Sequence, residues 1–317
     1  MFNRILVPLD GSPLAECVIP HLLAVAKAYS SEVLLLQVLD PSGPMYQDDV
    51  IDPFEWQIRK AEAETYLRGI AIQVSEAGLK VGKEVLEGKA AEVIINDAHL
   101  KEVDLILLSS HGHSGITGWN VSSVVQKIIL RANLSVMIVR AYEPAPESAH
   151  ISYRRVIAPL DGSQRAEFVL PAATMICRFH HAELVLAHVV KKPEIPHRIP
   201  YTQHELSLFK ELLEYNQSAA LNYLTDVQSH LDVKTDLALK VGDSVAALLQ
   251  QTVDEYNADL VLMSAHGYTG ETRWPYGHVV LSFVAYGTTP LMIMQDVSSD
   301  RLEISKAERI ARQQGAR

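Results

Sequence analysis

Two aspartates and two serine- and glycine-bearing turns are the groups in this chain best placed to do chemistry. Asp10 follows the apolar run Ile5-Leu6-Val7-Pro8-Leu9, and Asp161 follows Val156-Ile157-Ala158-Pro159-Leu160. The turns are Ser109-Ser110-His111-Gly112-His113-Ser114-Gly115 and Ser264-Ala265-His266-Gly267-Tyr268-Thr269-Gly270, each directly after a short apolar run. A strand that breaks into such a turn before a helix leaves backbone N–H groups that can face an anion. A carboxylate opposite them could accept hydrogen bonds from a ribose or a base while the N–H groups hold phosphates. The same Asp-Gly-Ser also reads as a plain turn with a helix cap. From the residues alone, both readings stand open.

The segments that must position these groups occur twice. Arg4 to Ser12 returns as Arg155 to Ser163, Ala15-Glu16 as Ala166-Glu167, and Glu32 to Val38 as Glu183 to Val189. A fixed offset over whole elements marks a duplicated unit, each copy a domain. Within the first copy, Ile5–Leu9 reads as a buried parallel strand. Ser12 and Pro13 suit the start of a helix to about Tyr29, with Pro20 expected to kink it. Val33–Val38 is a second strand, 40–53 a loop, and about Phe54–Gln73 a long helix. Val81–Leu86 is a weaker third strand, and Gly88-Lys89-Ala90-Ala91 opens another helix. Leu105–Leu108 is the fourth strand, Val121–Ala132 a helix and Val136–Val139 the fifth strand. The second copy repeats the plan, with a proline-rich loop at Lys191–Tyr201 and a long helix at about Glu205–Ser229. Strands alternating with helices imply a doubly wound, mostly parallel α/β sheet, whose ligands sit at the strand carboxyl ends where strand order reverses.

Composition narrows the function. With 317 residues and 48% hydrophobic side chains, two real cores are available. The 38 acidic against 28 basic residues leave a net charge of −10, which opposes a nucleic-acid partner. Cys17 and Cys177 do not match between the copies, so no disulfide framework or cysteine zinc site follows, which suits a reducing cytoplasm. The apolar start at Met1–Asp10 is too short for a signal peptide, and no run reaches membrane-spanning length, so no membrane partner is expected.

The Val-Pro-Leu-Asp-Gly-Ser opening, the strand ending in Val38 and the Ser-His-Gly turn, in that order, carry a resemblance. Both halves resemble the universal stress protein family. The similarity covers 1–141 and 153–297, leaving 142–152 as linker and 298–317 as a polar tail. The resemblance implies two tandem Rossmann-like domains, each a five-stranded parallel sheet of order 3-2-1-4-5. It also implies that the last strands, Val136–Val139 and Leu291–Met294, pair within the chain as a pseudo-dimer, which could form a homodimer in turn. The family's nucleotide-binding branch implies ATP or another adenine nucleotide, with Mg²⁺, between the first and fourth strands. There Asp10 and Asp161, beside Pro8 and Pro159, and the backbone of Val38 and Val189 would hold the adenosine. The family's phosphate motif, Gly-x2-Gly-x9-Gly-[Ser/Thr], maps onto Ser109, Gly112, Ser122 and Ser123 in the first copy and Ser264, Gly267, Gly277 and His278 in the second.

Neither mapped motif is intact. If a serine stands where φ must be positive, the cost is roughly 1–2 kcal/mol. A lost hydrogen bond to a charged group costs about 1.5–3 kcal/mol, so binding is expected to weaken roughly tenfold to a hundredfold. The implied role is a cytoplasmic stress-response sensor or regulator, with hydrolysis at most slow because no base is evident beyond the two aspartates. The competing reading is a non-nucleotide scaffold, or a binder of a metabolite or lipid-like ligand, with degenerate motifs. His111 and His113 flank Gly112 but lack a third metal ligand. His180-His181 ends a helix, where histidine suits the dipole. Trp119 and Trp274 read as packing anchors.

Overall fold

The computed structural model describes residues 1–41, 52–112, 120–142, 151–193, 202–268 and 275–296. Trp119, Trp274, His113, most of the 142–152 linker and the 298–317 tail lie outside the described residues.

Each half builds five strands from its apolar runs. In the first these are β1 (Arg4–Pro8), β2 (Glu32–Leu39), β3 (Val81–Glu87), β4 (Leu105–Ser109) and β5 (Ser135–Val139). In the second they are β6 (Arg155–Pro159), β7 (Glu183–Lys191), β8 (Thr235–Gly242), β9 (Leu260–Ser264) and β10 (Leu291–Met294). All ten join one sheet in the order β3-β2-β1-β4-β5-β10-β9-β6-β7-β8. Within each half the pairing is parallel, and each half shows the 3-2-1-4-5 order. At the seam β5 meets β10 antiparallel, with Leu291 opposite Ile138, Met292 opposite Met137 and Ile293 opposite Val136. The central strands β4, β5, β9 and β10 are buried at every position, as expected where helices cover both faces.

The helices sort onto those faces. One carries α1 (Val18–Tyr29), α2 (Pro53–Glu76), α6 (Leu170–His180) and α7 (Gln203–Ser229), over a core that includes Val7, Leu107, Met137, Met292 and Leu262. The other carries α3 (Ala90–Leu100), α4 (Ser123–Arg131), α8 (Val245–Glu255) and α9 (His278–Tyr286), over Leu6, Ile106, Ile138, Ile293 and Val261. Both cores run unbroken through the seam. A four-residue helix, α5 (Gln164–Glu167), precedes α6. No helix among the described residues is long and apolar enough to cross a membrane.

Several helix ends differ from the sequence expectation. Pro20 does not kink α1. A 3₁₀ turn at Ala15–Cys17 intervenes, α1 begins at Val18, and Pro20 falls in its first turn, where a missing N–H costs nothing. The N-cap of that turn is Leu14 rather than Ser12, although Ser12 Oγ still accepts from Ala15 N at 3.2 Å. The α4 helix is shorter than expected, starting at Ser123 because Ser122 is its N-cap. The α7 helix starts at Gln203 because Thr202 and Glu205 form a reciprocal capping box, a Thr-x-x-Glu signal the sequence shows plainly.

The α1–α6 contact joins the halves a second time. Tyr29 Oη donates to Ala172 O at 2.8 Å, and His21 Nδ1 lies 2.9 Å from Tyr153 Oη, a side chain only 1% exposed. Burial lowers the His21 pKa from 6.5 to about 4. As pH falls below about 6.5 the unfolded chain protonates His21, whereas the folded chain does not until about pH 4. Stability is therefore full above that window and declines through it, by at most about 3 kcal/mol. A His21→Gln variant is expected to lose less stability than the parent between those limits in denaturant titrations. Equal losses would refute this account.

Candidate functional site

The site is built twice, at the carboxyl ends of β1 and β4 and of β6 and β9. In the first half β1 ends and the chain reverses through Asp10-Gly11-Ser12, where Gly11 has φ +81°, a conformation glycine adopts freely. Ser12 N and Oγ donate to Asp10 Oδ1 at 3.0 and 2.6 Å. In the second half Gly162 has φ +84°, and Ser163 N and Oγ donate to Asp161 Oδ1 at 3.1 and 2.6 Å. Each aspartate thus organises its own turn, as the plain reading required, and also reaches across to the fourth-strand turn. A Cβ on Gly112 would overlap Asp10 Oδ2 and stand 2.9 Å from its Cγ; one on Gly267 would overlap Asp161 Oδ2 and stand 3.2 Å from its Cγ. Tyr268 N donates to Asp161 Oδ2 at 2.6 Å. These glycines are required by close approach, so strand one and strand four are brought together at the sequence-named residues in both halves.

Val38 and Val189 stand where a backbone can meet a ligand. They are not the last strand residues, since β2 runs on to Leu39 and β7 to Lys191. Leu9 N donates to Leu36 O at 2.8 Å, and Leu160 N to Ala187 O at 2.8 Å. Backbone groups two residues apart in a strand point the same way. The N–H and C=O of Val38 and Val189 therefore face the β1 and β6 sides, past the point where those strands, ending at Pro8 and Pro159, have turned away. A polar rim opens there at each switch point, opposite the glycine turn.

The serine substitutions carry no backbone strain. Ser109, Ser122 and Ser264 are absent from the positive-φ residues, and both Ser122 (φ −68°) and Gly277 (φ −70°) are N-caps in extended conformation. A Cβ at Gly277 would meet only Ala265 O, at 3.6 Å. Ser122 N donates to Ser110 O, and Gly277 N to Ala265 O, both at 2.8 Å. The two motifs therefore share one backbone path, and the penalty anticipated for a positive φ does not arise.

What differs is the side chains on that path. Ser109 Oγ lies 3.1 Å from Leu14 O and also contacts His111 O. Ser264 Oγ is buried without a hydrogen-bond partner. Ser122 Oγ caps α4 by accepting from Val125 N at 3.3 Å, whereas Gly277 leaves α9 with no side-chain cap. Ser123 and His278 each open their helix and are exposed. His111 Nδ1 lies 3.1 Å from Ser110 Oγ, while His266 Nδ1 lies 2.7 Å from Asp296 Oδ1, and Arg165 Nε sits 3.7 Å from Asp296 Oδ2. Sequence reasoning missed Asp296 and Arg165, which no local pattern connects to the turn.

No group of three or more metal-ligating side chains gathers among the described residues. Cys17 lies against Ser109, 3.6 Å from its Oγ. Burial pushes its thiol up to about 11, against the opposing hydrogen bond, and pushes Cys177 up to about 12. Neither is a ready nucleophile at neutral pH.

Comparison with known proteins identifies the family. The model of the universal stress protein family matches residues 1–140 and again 152–295. The chain is 28% identical over 142 residues to universal stress protein MJ0531 of Methanocaldococcus jannaschii, covering 44% of this chain and 83% of that protein. The crystal structure of a universal stress protein from Archaeoglobus fulgidus shares the fold, with a TM-score of 0.67 at 17% identity over 94% of this chain and 100% of that one. A universal stress protein solved in complex with cAMP resembles 44% of this chain and 98% of its own at 19% identity and a TM-score of 0.34. With the family model matched over both halves, this chain belongs to the universal stress protein family and carries its domain twice in tandem.

Proposed function

We propose that the two crevices bind an adenine nucleotide and that the protein acts as a cytoplasmic nucleotide-responsive regulator of a stress response. One observation carries the reading: in both halves the first-strand aspartate closes against the fourth-strand glycine turn while a β2 or β7 backbone rim faces them across the switch point. The residues fit the group. Val38 or Val189 would hold the adenosine by backbone hydrogen bonds, beside Pro8 with Asp10 or Pro159 with Asp161. The phosphates would lie on the turn and helix N-terminus at Ser109, Gly112, Ser122 and Ser123, or at Ser264, Gly267, Gly277 and His278, with Mg²⁺ as their counterion. The uncapped N-terminus of α9 and the unpartnered Ser264 hydroxyl are donors such a ligand would satisfy. The reading is one of binding, not turnover: the Asp10 and Asp161 carboxylates already accept bonds from their own turns.

The antiparallel β5–β10 seam supports reading the tandem chain as a pseudo-dimer. The site test is direct. Protein purified without added nucleotide is denatured and the released small molecules identified by mass spectrometry. ATP, ADP or AMP at up to two per chain is the expected result. An empty chain with no thermal shift in millimolar ATP and Mg²⁺ would replace this reading with the non-nucleotide scaffold.

A further inference from the structure

A cavity of about 470 Å³ opens at the amino ends of β6, β9 and β10, where the two halves meet. It lies at the end of the sheet away from both crevices. We infer that this cavity is a second binding site, one that takes a small zwitterion of the α-amino acid class. The inference goes beyond the nucleotide reading and does not depend on it.

The wall is drawn from both halves. His21 comes from α1, Tyr153 and Arg154 lead into β6, Asp259 precedes β9, and Thr288 and Thr289 precede β10. Small-molecule sites commonly have this size, roughly 300–1,000 Å³, and commonly lie where two domains meet. Among the lining residues only Arg154 and Asp259 are charged at neutral pH. Burial lowers the His21 pKa to about 4, and burial together with the Asp259 charge raises that of Tyr153. The wall thus offers one positive and one negative group, with hydroxyls and a neutral imidazole beside them.

Asp259 has acceptor capacity to spare. Its Oδ2 accepts from Arg154 N at 2.7 Å and its Oδ1 from Arg155 N at 3.2 Å. A carboxylate has about four acceptor sites, so each oxygen can still take a bond from a ligand ammonium. The same clasp fixes the Arg154 backbone at the wall of the cavity, and its side chain is exposed there. A guanidinium takes a carboxylate through two parallel N–H bonds. His21 Nδ1 and Tyr153 Oη meet each other at 2.9 Å, so Nε2 is the ring atom left to face a ligand.

The chain carries its own control. The repeat that sets Asp161 against Asp10 and Gly267 against Gly112 also sets Tyr153 and Arg154 against Phe2 and Asn3. It sets His21 against Ala172, Asp259 against Asp104, and Thr288 and Thr289 against Asn133 and Leu134. Asp104 makes a like clasp on Asn3 N and Arg4 N, at 2.6 and 3.0 Å, so the clasp by itself is structural. The rest of the place differs. Phe2 packs edge-on against Tyr29, and Leu134 packs against the core. Their counterparts at the cavity are a phenol and a hydroxyl, joined by an imidazole and a cation. A structural role shared by both copies does not require those changes; a polar ligand held at one of them does.

The test is calorimetric titration of the full chain with three triads of probes. They are L-alanine with propionate and ethylamine, L-glutamate with glutarate and 4-aminobutyrate, and L-phenylalanine with 3-phenylpropionate and 2-phenylethylamine. In each triad the second compound lacks the α-ammonium and the third lacks the α-carboxylate. At least one amino acid is expected to bind once per chain. Its two relatives should bind roughly tenfold or more weakly, the loss that follows from one missing hydrogen bond between charged groups. Arg154→Asn should weaken the amino acid by a similar factor and leave its carboxylate-free relative nearly unchanged, which a merely structural role would not produce. Thr289→Leu, which installs the first half's residue, should fill the cavity and abolish binding. Silence toward all three amino acids, or a relative that binds as tightly as its amino acid, would overturn the proposal. Undiminished binding by Thr289→Leu would place the ligand elsewhere and overturn it equally. Should Thr289→Leu fail to fold, Arg154→Asn, a change at an exposed side chain, decides alone.

Discussion

Gly267→Ala is expected to destabilise the protein by about 3 kcal/mol and to abolish nucleotide retention in the second half. The new Cβ would overlap Asp161 Oδ2, and Asp161 cannot yield freely. Its oxygens accept from Ser163 N, Ser163 Oγ and Tyr268 N at 3.1, 2.6 and 2.6 Å. Rotating the carboxylate away breaks charge-assisted bonds worth roughly 1.5–3 kcal/mol each, while leaving it in place imposes overpacking of about 1–3 kcal/mol. The turn would take the cheaper route and move, displacing the N–H groups assigned to the phosphates. Urea titration with nucleotide content read on the same sample tests both parts. The double variant Gly267→Ala/Asp161→Ala should recover part of the stability without recovering binding, a coupling of about 1 kcal/mol or more. An additive double variant would show that the two residues do not meet as described.

Arg140→Met is the second large effect, expected at about 3 kcal/mol, and it tests whether the two halves stand together. Arg140 follows β5 and is 9% exposed. It crosses the seam and donates to Phe283 O at 2.7 Å and Val284 O at 3.2 Å, at the end of α9. Burial lowers its pKa from 12.5 to about 10, so it remains charged at neutral pH. Methionine fills much of the volume but leaves Val284 O without its charged donor and Phe283 O with only the bond from Gly287 N at 2.9 Å, and a buried acceptor left unpaired is the costly half of losing a hydrogen bond. Asn120 Nδ2 holds Gly287 O at 2.7 Å in the same region, which limits how far α9 can relax. Because the sheet and both cores cross the seam, we expect the parent and the variant each to unfold in a single transition, the variant's at lower denaturant. Two separated transitions in the parent would show instead that the halves are independent bodies.

Much of the architecture was legible before any coordinates. Ile5–Leu9, Leu105–Leu108 and Val136–Val139 are continuous apolar runs because strands covered on both faces need no polar side, and the repeat from Arg4–Ser12 to Arg155–Ser163 announced the duplication. The less certain boundaries lay where local rules compete. Pro20 reads as a kink only if the helix begins at Ser12, and the intervening 3₁₀ turn moves it into the first turn instead.

The candidate site divides along a similar line. The glycines of the turns, Gly11 and Gly162 with positive φ and Gly112 and Gly267 under the aspartates, were visible in the sequence because turns and close approaches demand glycine wherever they occur. That Ser109, Ser122 and Ser264 carry no positive φ was not visible, since φ is decided by how the strand end meets its helix. Nor could the sequence show that Arg165, Asp296 and His266 form one assembly, or that Arg140 grips the far end of α9. These contacts join residues from opposite ends of a half or from different halves, and no periodicity records them. Local chemistry determined the strands, the turns and the repeat; only the folded sheet, by bringing β6, β9 and β10 side by side and joining β10 to β5, decided which residues meet beside the glycine turns and across the seam.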